Sequence, residues 1–178
     1  MKKAQLIGAV NTVLNDNGKL IGYNTDGYGF MQSVRDAGHD ITGKNITVMG
    51  VGGASMAICA QSALDGAASV HIFARRTSRY WNRTQKFAEN LSAKTGCQVC
   101  LFDNDDHTAL RDSIAQSYLL INATSVGMVP DIDDTIIKDT SLFHPELVVA
   151  DVVYEPQETR LLREAKAAGC QTFNGMYM

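Results

Sequence analysis

Apolar positions follow two kinds of pattern along most of the chain. From Asn45 onward, short and nearly continuous apolar runs alternate with segments in which apolar residues recur every three or four positions. The first kind predicts strands buried on both faces, and the second predicts helices that pack against them. Such alternation is typical of an α/β protein with a doubly wound parallel sheet covered by helices on both faces. The predicted strands are Asn45–Met49, Ser69–Phe73, Cys97–Phe102, Tyr118–Asn122, Leu147–Asp151 and Cys170–Phe173, and the predicted helices are Gly53–Leu64, Arg79–Lys94, His107–Gln116 and Glu158–Ala168.

The first 42 residues follow a different pattern. Leu6–Leu14 and Leu20–Thr25 are predicted as strands of a β-hairpin, because the Asn-Gly pair between them supplies the positive φ of a tight turn. A helix is predicted next over Asp26–Gly38, with the aspartate as N-cap and the glycine at its end. We therefore expect two units: residues 1–42 as part of a second α/β domain with a connecting helix, and residues 43–178 as the doubly wound domain.

Composition and charge narrow the class of protein. Hydrophobic residues make up 45% of the 178 positions and charged residues 20%, which is typical of a globular domain. Because 16 basic residues face 19 acidic ones, the net charge of −3 argues against a nucleic-acid surface. No run approaches the roughly 18 apolar residues of a membrane span, and the start has no long apolar segment of the signal-peptide kind. We expect a cytoplasmic protein without nucleic-acid or membrane partners.

The cysteines and histidines do not have the spacing of a metal site. Cys97 and Cys100 form a C-x-x-C, which would be half of a zinc site or a redox pair. However, a strand directs residues three apart to opposite faces, and the sequence has no second such pair. We therefore expect no bound metal, and dispersed reduced thiols fit the cytoplasm.

The strongest candidate for chemistry is a glycine-rich turn between the first parallel strand and its helix. Gly50 allows the tight turn, Gly52 lets the backbone approach a diphosphate, and the helix that starts at Gly53 offers unpaired N–H groups to the phosphates. Ser55 replaces the third glycine of the usual dinucleotide-binding fingerprint. The alternative is a turn that only closes a strand–helix corner. The βα units that follow favour a Rossmann-like domain that binds NAD or NADP.

The choice between NAD and NADP depends on the end of the second parallel strand. An acidic residue there binds the ribose 2′-hydroxyl in many NAD sites, and this segment has none. Arg75, Arg76 and Arg79 would hold a 2′-phosphate through charge-assisted hydrogen bonds. The alternatives are a solvated basic helix start and arginines that stack on adenine in an NAD enzyme, so NADP is only mildly preferred.

Two loops, Asn122–Met128 and Asp151–Pro156, follow the fourth and fifth strands. Because ligands of open parallel sheets bind beyond the carboxyl ends of the strands, we expect both loops to line the nicotinamide. The alternative is ordinary turn chemistry, with Gly127 bending the chain and Pro156 opening a helix.

Six ordered motifs resemble those of the shikimate dehydrogenase family, from about Leu6 to the end of the chain. The spacing of the first two motifs, the linker before the parallel sheet and the arginine pair are most similar to the quinate/shikimate dehydrogenase branch. The six motifs are Gly8–Thr12 (GAVNT), Gly22–Gly27 (GYNTDG), Gly50–Ser55 (GVGGAS), Asn122–Met128 (NATSVGM), Asp151–Pro156 (DVVYEP) and Asn174–Gly175.

This resemblance implies reversible, NAD(P)-dependent oxidation of a ring hydroxyl, which interconverts shikimate and 3-dehydroshikimate or quinate and 3-dehydroquinate. It implies that Asn11, Thr25 and Asp26 bind substrate hydroxyls in a cleft between two domains. Asp26 is also the expected catalytic residue, paired with a lysine that relays the hydroxyl proton while hydride passes to the nicotinamide. The alternative role of Asp26 is that of the helix N-cap, and both roles are compatible.

The resemblance also assigns cofactor contacts, with three departures from the family pattern. Ala74 stands where Asn is usual, Arg76 where many NADP members have Thr, and Thr77 where an NAD-using relative has Asp. These departures leave the preference between NAD and NADP open. The phosphate turn is assigned to Val51, Gly52, Gly53 and Ala54, the adenosine ribose to Ala74, Arg75, Arg76 and Thr77, and the nicotinamide to Ser125, Val152, Tyr154 and Gly175.

Full members of the family carry an N-terminal substrate domain with the catalytic lysine and a C-terminal helix with a substrate-binding glutamine. The 178 residues match neither segment, so we expect this polypeptide alone to bind NAD(P) weakly and to turn over poorly or not at all. One alternative is a non-catalytic nucleotide-binding module that requires a partner chain. Another is a different two-domain enzyme, such as a glutamyl-tRNA reductase or a methylenetetrahydrofolate dehydrogenase. Those enzymes lack the Asn-Thr-Asp-Gly motif found at Asn24–Gly27. A homodimer is the expected form of self-association.

Overall fold

The computed structural model describes residues 3–178. These residues form a two-stranded antiparallel sheet, a six-stranded parallel sheet and the helices around them. Short 3-10 turns lie at Thr140–Leu142 and Gly175–Tyr177. The helices are α1 Lys3–Ile7, α2 Asp26–Asp36, α3 Gly53–Leu64, α4 Trp81–Thr95, α5 His107–Gln116 and α6 Arg160–Ala167, and the strands are β1 Thr12–Asp16, β2 Lys19–Tyr23, β3 Asn45–Met49, β4 Ser69–Ala74, β5 Gln98–Asp103, β6 Leu119–Asn122, β7 Val148–Asp151 and β8 Gln171–Asn174.

The six later strands form one parallel sheet in the order β5-β4-β3-β6-β7-β8. The chain runs outward from β3 to β5, crosses back, and then runs outward from β6 to β8. The strand order therefore reverses between β3 and β6, which opens a crevice beyond their carboxyl ends. This topology confirms the predicted α/β fold with a doubly wound parallel sheet.

Both faces of the sheet are covered by helices, as the continuous apolar strands predict. On one face, the buried residues Val34 of α2, Ile58 of α3 and Leu91 of α4 share a core with the sheet. On the other face, Ile114 of α5 and Leu162 of α6 form a second core. The helices thereby fix the strand ends that border the crevice.

The N-terminal segment differs from the prediction at its start. Leu6 and Ile7 were expected in the first hairpin strand, but they lie in α1, and β1 begins only at Thr12. Both side chains are 5% exposed and belong to the core that contains α3. An apolar pair carries no period of its own, so the contact with α3 decides its conformation.

The predicted hairpin is present as an antiparallel pair, β1 and β2, in which Thr12 lies opposite Tyr23. Its turn uses the left-handed region, with φ of 50° at Asn17 and 88° at Gly18. The hairpin does not join the six-stranded sheet. The division of the chain into units at residue 42 stays a prediction, and α2 shares its core with α3 and α4.

Within residues 3–178, no helix has both the length and the apolar character needed to cross a bilayer. In the same part of the chain, no group of three or more His, Cys, Asp or Glu residues is arranged to hold a metal ion. The four cysteines are free thiols, and burial raises the pKa of Cys97 to about 11. A thiol with so high a pKa is a poor nucleophile and a poor metal ligand at neutral pH.

Candidate functional site

The glycine turn lies at the carboxyl end of β3, in the crevice where the strand order reverses. Gly50 has a φ of 110°, and a Cβ there would stand 2.8 Å from the carbonyl oxygen of Ala123. Both the conformation and the close approach therefore require glycine. Gly52 and Gly53 are exposed, and no atom lies within 4 Å of an added Cβ at either position. The turn is open to a ligand.

Ser55, which departs from the fingerprint, has a local explanation. Its side chain is fully buried, and its hydroxyl donates a hydrogen bond of 2.6 Å to the carbonyl oxygen of Gly50. The serine therefore fastens the turn to the first turn of α3. Gly52 is the N-cap of α3 and supplies no side-chain acceptor. The first N–H groups of the helix remain available to an anion.

The arginine loop, Arg75–Arg79, follows β4, and the last residue of that strand is buried. Ala74 is 3% exposed, whereas Arg75, Arg76 and Thr77 are exposed. The guanidinium of Arg76 lies 4.6 Å from the centroid of the Trp81 ring, a cation–π contact that limits its orientation.

Arg79 stacks in a similar way beside this loop. Its guanidinium lies 4.7 Å from the centroid of the Tyr80 ring and donates a hydrogen bond of 2.6 Å to the Tyr80 hydroxyl. Together with Arg75 and Arg76, it gives this edge of the crevice a surface suited to a phosphate group.

Arg83 is a candidate that the sequence patterns did not single out. Its Nη2 donates a hydrogen bond of 2.9 Å to the carbonyl oxygen of Gly8, before the hairpin. Arg83 also lines a cavity of about 180 Å³ together with Val51, Gly52 and Gly53. The sequence signal was weak, because an arginine one turn into a helix is usually a solvated side chain.

The loops after β6 and β7 lie beside each other, and their expected place at the nicotinamide stays a prediction. Ser125, Val152 and Tyr154 line one cavity of about 330 Å³. Gly175 adjoins the same loop, since a Cβ on it would stand 2.5 Å from the carbonyl oxygen of Val152. The four residues assigned to the nicotinamide are therefore neighbours.

A buried polar pair supports these loops, and the strand pattern did not reveal it. Asn122 and Asp151 end adjacent strands, and the amide Nδ2 of Asn122 donates a hydrogen bond of 3.0 Å to the Asp151 carboxylate. Burial raises the pKa of Asp151 to about 6. The two motifs were visible in the sequence, but the pairing requires knowledge of the strand order.

The residues assigned to the substrate form a hydrogen-bonded group between the hairpin and α2. The Nδ2 of Asn11 donates to the Thr25 hydroxyl at 3.0 Å and also to the carboxylate of Asp26. The Asn11 side-chain oxygen accepts a bond of 3.0 Å from the Thr25 backbone N–H. Asn11 and Thr25 are exposed and Asp26 is half-buried, so their polar groups face the surface.

The expected N-cap role of Asp26 is wrong. Thr25 is the N-cap of α2, and Asp26 is the first residue of the helix. In that position its negative charge still interacts favourably with the positive end of the helix dipole. Because it does not cap the helix, its carboxylate is available for another role. The predicted end of the helix agrees, with Gly38 at a φ of 87° just after the C-cap Ala37.

A larger cavity of about 670 Å³ lies between α2, α6 and β8, and none of the predicted site residues lines it. The candidate site is therefore the crevice at the carboxyl edge, which combines an open anion-binding turn, an arginine loop and an apolar cavity. Such a set of features matches the phosphate, ribose and nicotinamide parts of a dinucleotide.

Comparisons with known proteins agree with this description, although no protein-family model matches the chain. It is 50% identical over 175 residues to a shikimate dehydrogenase (NADP(+)) of Listeria innocua, across 98% of this chain and 60% of that protein. It is 41% identical over 175 residues, with the same coverage of both chains, to a quinate/shikimate dehydrogenase of Escherichia coli.

Among solved structures, a shikimate 5-dehydrogenase from Listeria monocytogenes in complex with shikimate and NAD matches with a TM-score of 0.94. The identity is 48%, over 99% of this chain and 61% of that one. The chain thus spans about three fifths of the length of the relatives it matches. The resemblance to the shikimate dehydrogenase family, and to its quinate/shikimate members, is confirmed.

Proposed function

We propose that this chain is the nucleotide-binding part of an NAD(P)-dependent dehydrogenase that oxidises shikimate to 3-dehydroshikimate, or quinate to 3-dehydroquinate. The observation that carries the proposal is the arrangement of two groups around α3. The open glycine turn lies at the N-terminus of α3. The helix α2 packs on α3, and its first residue, Asp26, bonds to Asn11, so the Asn11–Asp26 pair lies beside α3.

The cofactor would be NADP or NAD, held in three places. Backbone N–H groups of Val51–Ala54 would bind the diphosphate, Ala74–Thr77 would surround the adenosine ribose, and Ser125, Val152, Tyr154 and Gly175 would border the nicotinamide. When bound, the nicotinamide supplies an acceptor for hydride. The residues of the chain would hold the ring at this edge of the sheet.

On the substrate side, Asn11 and Thr25 would bind hydroxyl groups of the cyclic polyol. The carboxylate of Asp26 would accept a hydrogen bond from the reacting hydroxyl or from a lysine that removes its proton. Loss of that proton must accompany loss of hydride from the same carbon, so an acid–base pair at the hydroxyl assists both directions of the reaction. The Asn11 contact supports this role, because it orients the carboxylate.

A second candidate is a nucleotide-binding module that acts only with a partner chain. The hairpin favours it, because Val13 is 60% exposed and Leu20 is 72% exposed. A two-stranded hairpin with exposed apolar side chains gains stability when another surface covers it. A partner chain, or a second copy in a homodimer, would do so. The free thiols fit the reducing cytoplasm that we propose for either form.

Cofactor titration followed by a shikimate oxidation assay tests both candidates. Binding of NADP or NAD with little turnover by the chain alone supports the first candidate, whereas turnover near the typical ~10 s⁻¹ by the chain alone would contradict it. Binding of NADP or NAD with turnover only after addition of a substrate-domain fragment from a family member supports the partner-dependent module. If neither nucleotide binds, both candidates are rejected.

A further inference from the structure

The pair formed by Asn122 and Asp151 connects two loops of the proposed cofactor site. The two residues lie opposite each other at the ends of β6 and β7 and are 1% and 0% exposed. Each has hydrogen-bonding groups beyond the bond that joins them. The remaining bonds of Asn122 go to the loop after β6, and those of Asp151 go to the segment after β7.

Asn122 holds the loop after β6. Its Oδ1 accepts hydrogen bonds from the N–H of Thr124 at 3.1 Å and from the Thr124 hydroxyl at 2.7 Å. Its Nδ2 also donates to the carbonyl oxygen of Val126 at 3.2 Å. These bonds flank Ser125 on both sides and fix the backbone that carries it.

Asp151 holds the loop after β7. Its Oδ1 accepts a bond of 2.9 Å from the N–H of Val153, and its Oδ2 accepts one of 2.8 Å from the hydroxyl of Thr159. Thr159 is fully buried and is the N-cap of α6. The carboxylate therefore fixes the segment between β7 and α6 at both of its ends.

The choice of a carboxylate at this position is costly for folding. None of the ion pairs found within residues 3–178 involves Asp151, and its three donors are uncharged. Burial of an ionised carboxylate without a cation is unfavourable. However, only a carboxylate accepts hydrogen bonds at both oxygens. An amide in its place would have an NH₂ group facing one of the three donors, and that donor would lose its acceptor.

We propose that Asp151 is a positioning residue that acts through Asn122 and Thr159 and fixes the backbone of the two loops against the nicotinamide end of the cofactor. This inference rests on the function proposed above. Ser125 and Tyr154 are exposed and lie outside the network, so its effect is carried by the backbone. The arginine loop is attached to another strand, and the adenosine half should be unaffected.

The test compares whole cofactors with their adenosine halves by calorimetric titration. The pairs are NADP with 2′,5′-ADP, and NAD with ADP. The variants are Asp151→Asn and Thr159→Val, while Thr159→Ser retains the hydroxyl. Thr47→Val is the matched control, because Thr47 is also fully buried but bonds to Ser113 of α5 and to Ser117, the C-cap of that helix.

We expect Asp151→Asn and Thr159→Val to weaken whole-cofactor binding about five- to tenfold, while the halves change less than about twofold. Thr159→Ser should keep most of the affinity for the whole cofactor. Thr47→Val should change neither the affinity for the whole cofactors nor that for the halves. If Asp151→Asn does not fold, the two Thr159 variants give the same comparison.

Three results would overturn the inference. One is an equal loss for whole cofactors and halves, and another is no loss for either. The third is a wild-type chain that binds a half as tightly as the whole cofactor, because the nicotinamide end would then add nothing to the affinity. This third result would leave the proposed nucleotide site intact. A wild-type chain that binds neither wholes nor halves would reject the proposed function itself.

Discussion

Gly27 of α2 lies directly against the carbonyl oxygen of Ala57 in α3. A Cβ built on Gly27 would stand 2.1 Å from that oxygen and 3.1 Å from the Cβ of Gln61. The two helix backbones therefore touch at this point, where only glycine fits. Because Asp26 precedes Gly27, this contact also sets the position of the carboxylate beside the helix that begins at the glycine turn.

Substitution of Gly27 by Ala should separate the two helices. The added methyl group meets backbone, which cannot move aside without shifting a helix, so we expect a loss of about 1–3 kcal/mol in the free energy of unfolding. Urea denaturation measures it. Gly53→Ala is the matched control, because its Cβ enters open space and its effect should stay within about 0.5 kcal/mol. Similar losses in both variants would contradict the role of the contact.

Much of the doubly wound domain could be predicted from the sequence, because its strands are continuous apolar runs with no competing period. The limits of the strand Asn45–Met49 and the helix Gly53–Leu64 agree with the structure. The glycine turn could also be placed, since Gly50 and Gly52 lie between these two elements and local sequence decides the conformation of a tight turn.

What sequence could not supply was the contact between distant segments. Leu6 and Ile7 are helical because they pack in the core with α3, which is more than 40 residues away along the chain. Asn122 and Asp151 belong to motifs that were recognised, but only the strand order makes them neighbours. Arg83 was missed for the same reason, since its acceptor at Gly8 lies in another part of the chain.

Arg76→Asp should change the preference between cofactors. The Trp81 ring holds the guanidinium of Arg76 at the exit of β4, where a 2′-phosphate would be recognised. We expect the affinity for NADP to fall at least about tenfold and that for NAD to change less than about twofold. Trp81 is the single tryptophan, so its fluorescence provides the titration signal.

The matched control for this charge change is Arg163→Asp. Arg163 is an exposed residue of α6, on the other face of the sheet, and the substitution alters the net charge by the same amount. An equal loss of NADP affinity in both variants would indicate a general electrostatic effect. An equal loss of NADP and NAD affinity in Arg76→Asp would show that Arg76 does not distinguish the 2′-phosphate.

Asn11→Ala should release the hairpin from the start of α2. The Thr25 N–H donates to the side chain of Asn11, and the substitution removes this acceptor. With a net value of about 1 kcal/mol for such a bond, hydrogen exchange at the Thr25 amide should become about fivefold faster. In the control Asn15→Ala, the Gly18 amide loses its acceptor instead, and exchange at Thr25 should not change. An unchanged Thr25 rate in Asn11→Ala would contradict the proposed link.

The pH dependence of stability should carry a contribution from Asp151. Burial raises its pKa from an ordinary value of 3.8 to about 6, so between these values the folded chain binds the proton more tightly than the unfolded chain. The stability that this group contributes is therefore present below about pH 4 and is lost as the pH rises through 6. Between about pH 4.5 and 7.5, the free energy of unfolding of the wild type should fall by about 2 kcal/mol more than that of Asp151→Asn, as measured by urea unfolding.

Asp40→Asn is the control, because hydrogen bonds from Thr42 lower the pKa of Asp40 and its titration falls below this range. If the wild type and Asp151→Asn show the same pH dependence, Asp151 does not titrate as a buried carboxylate.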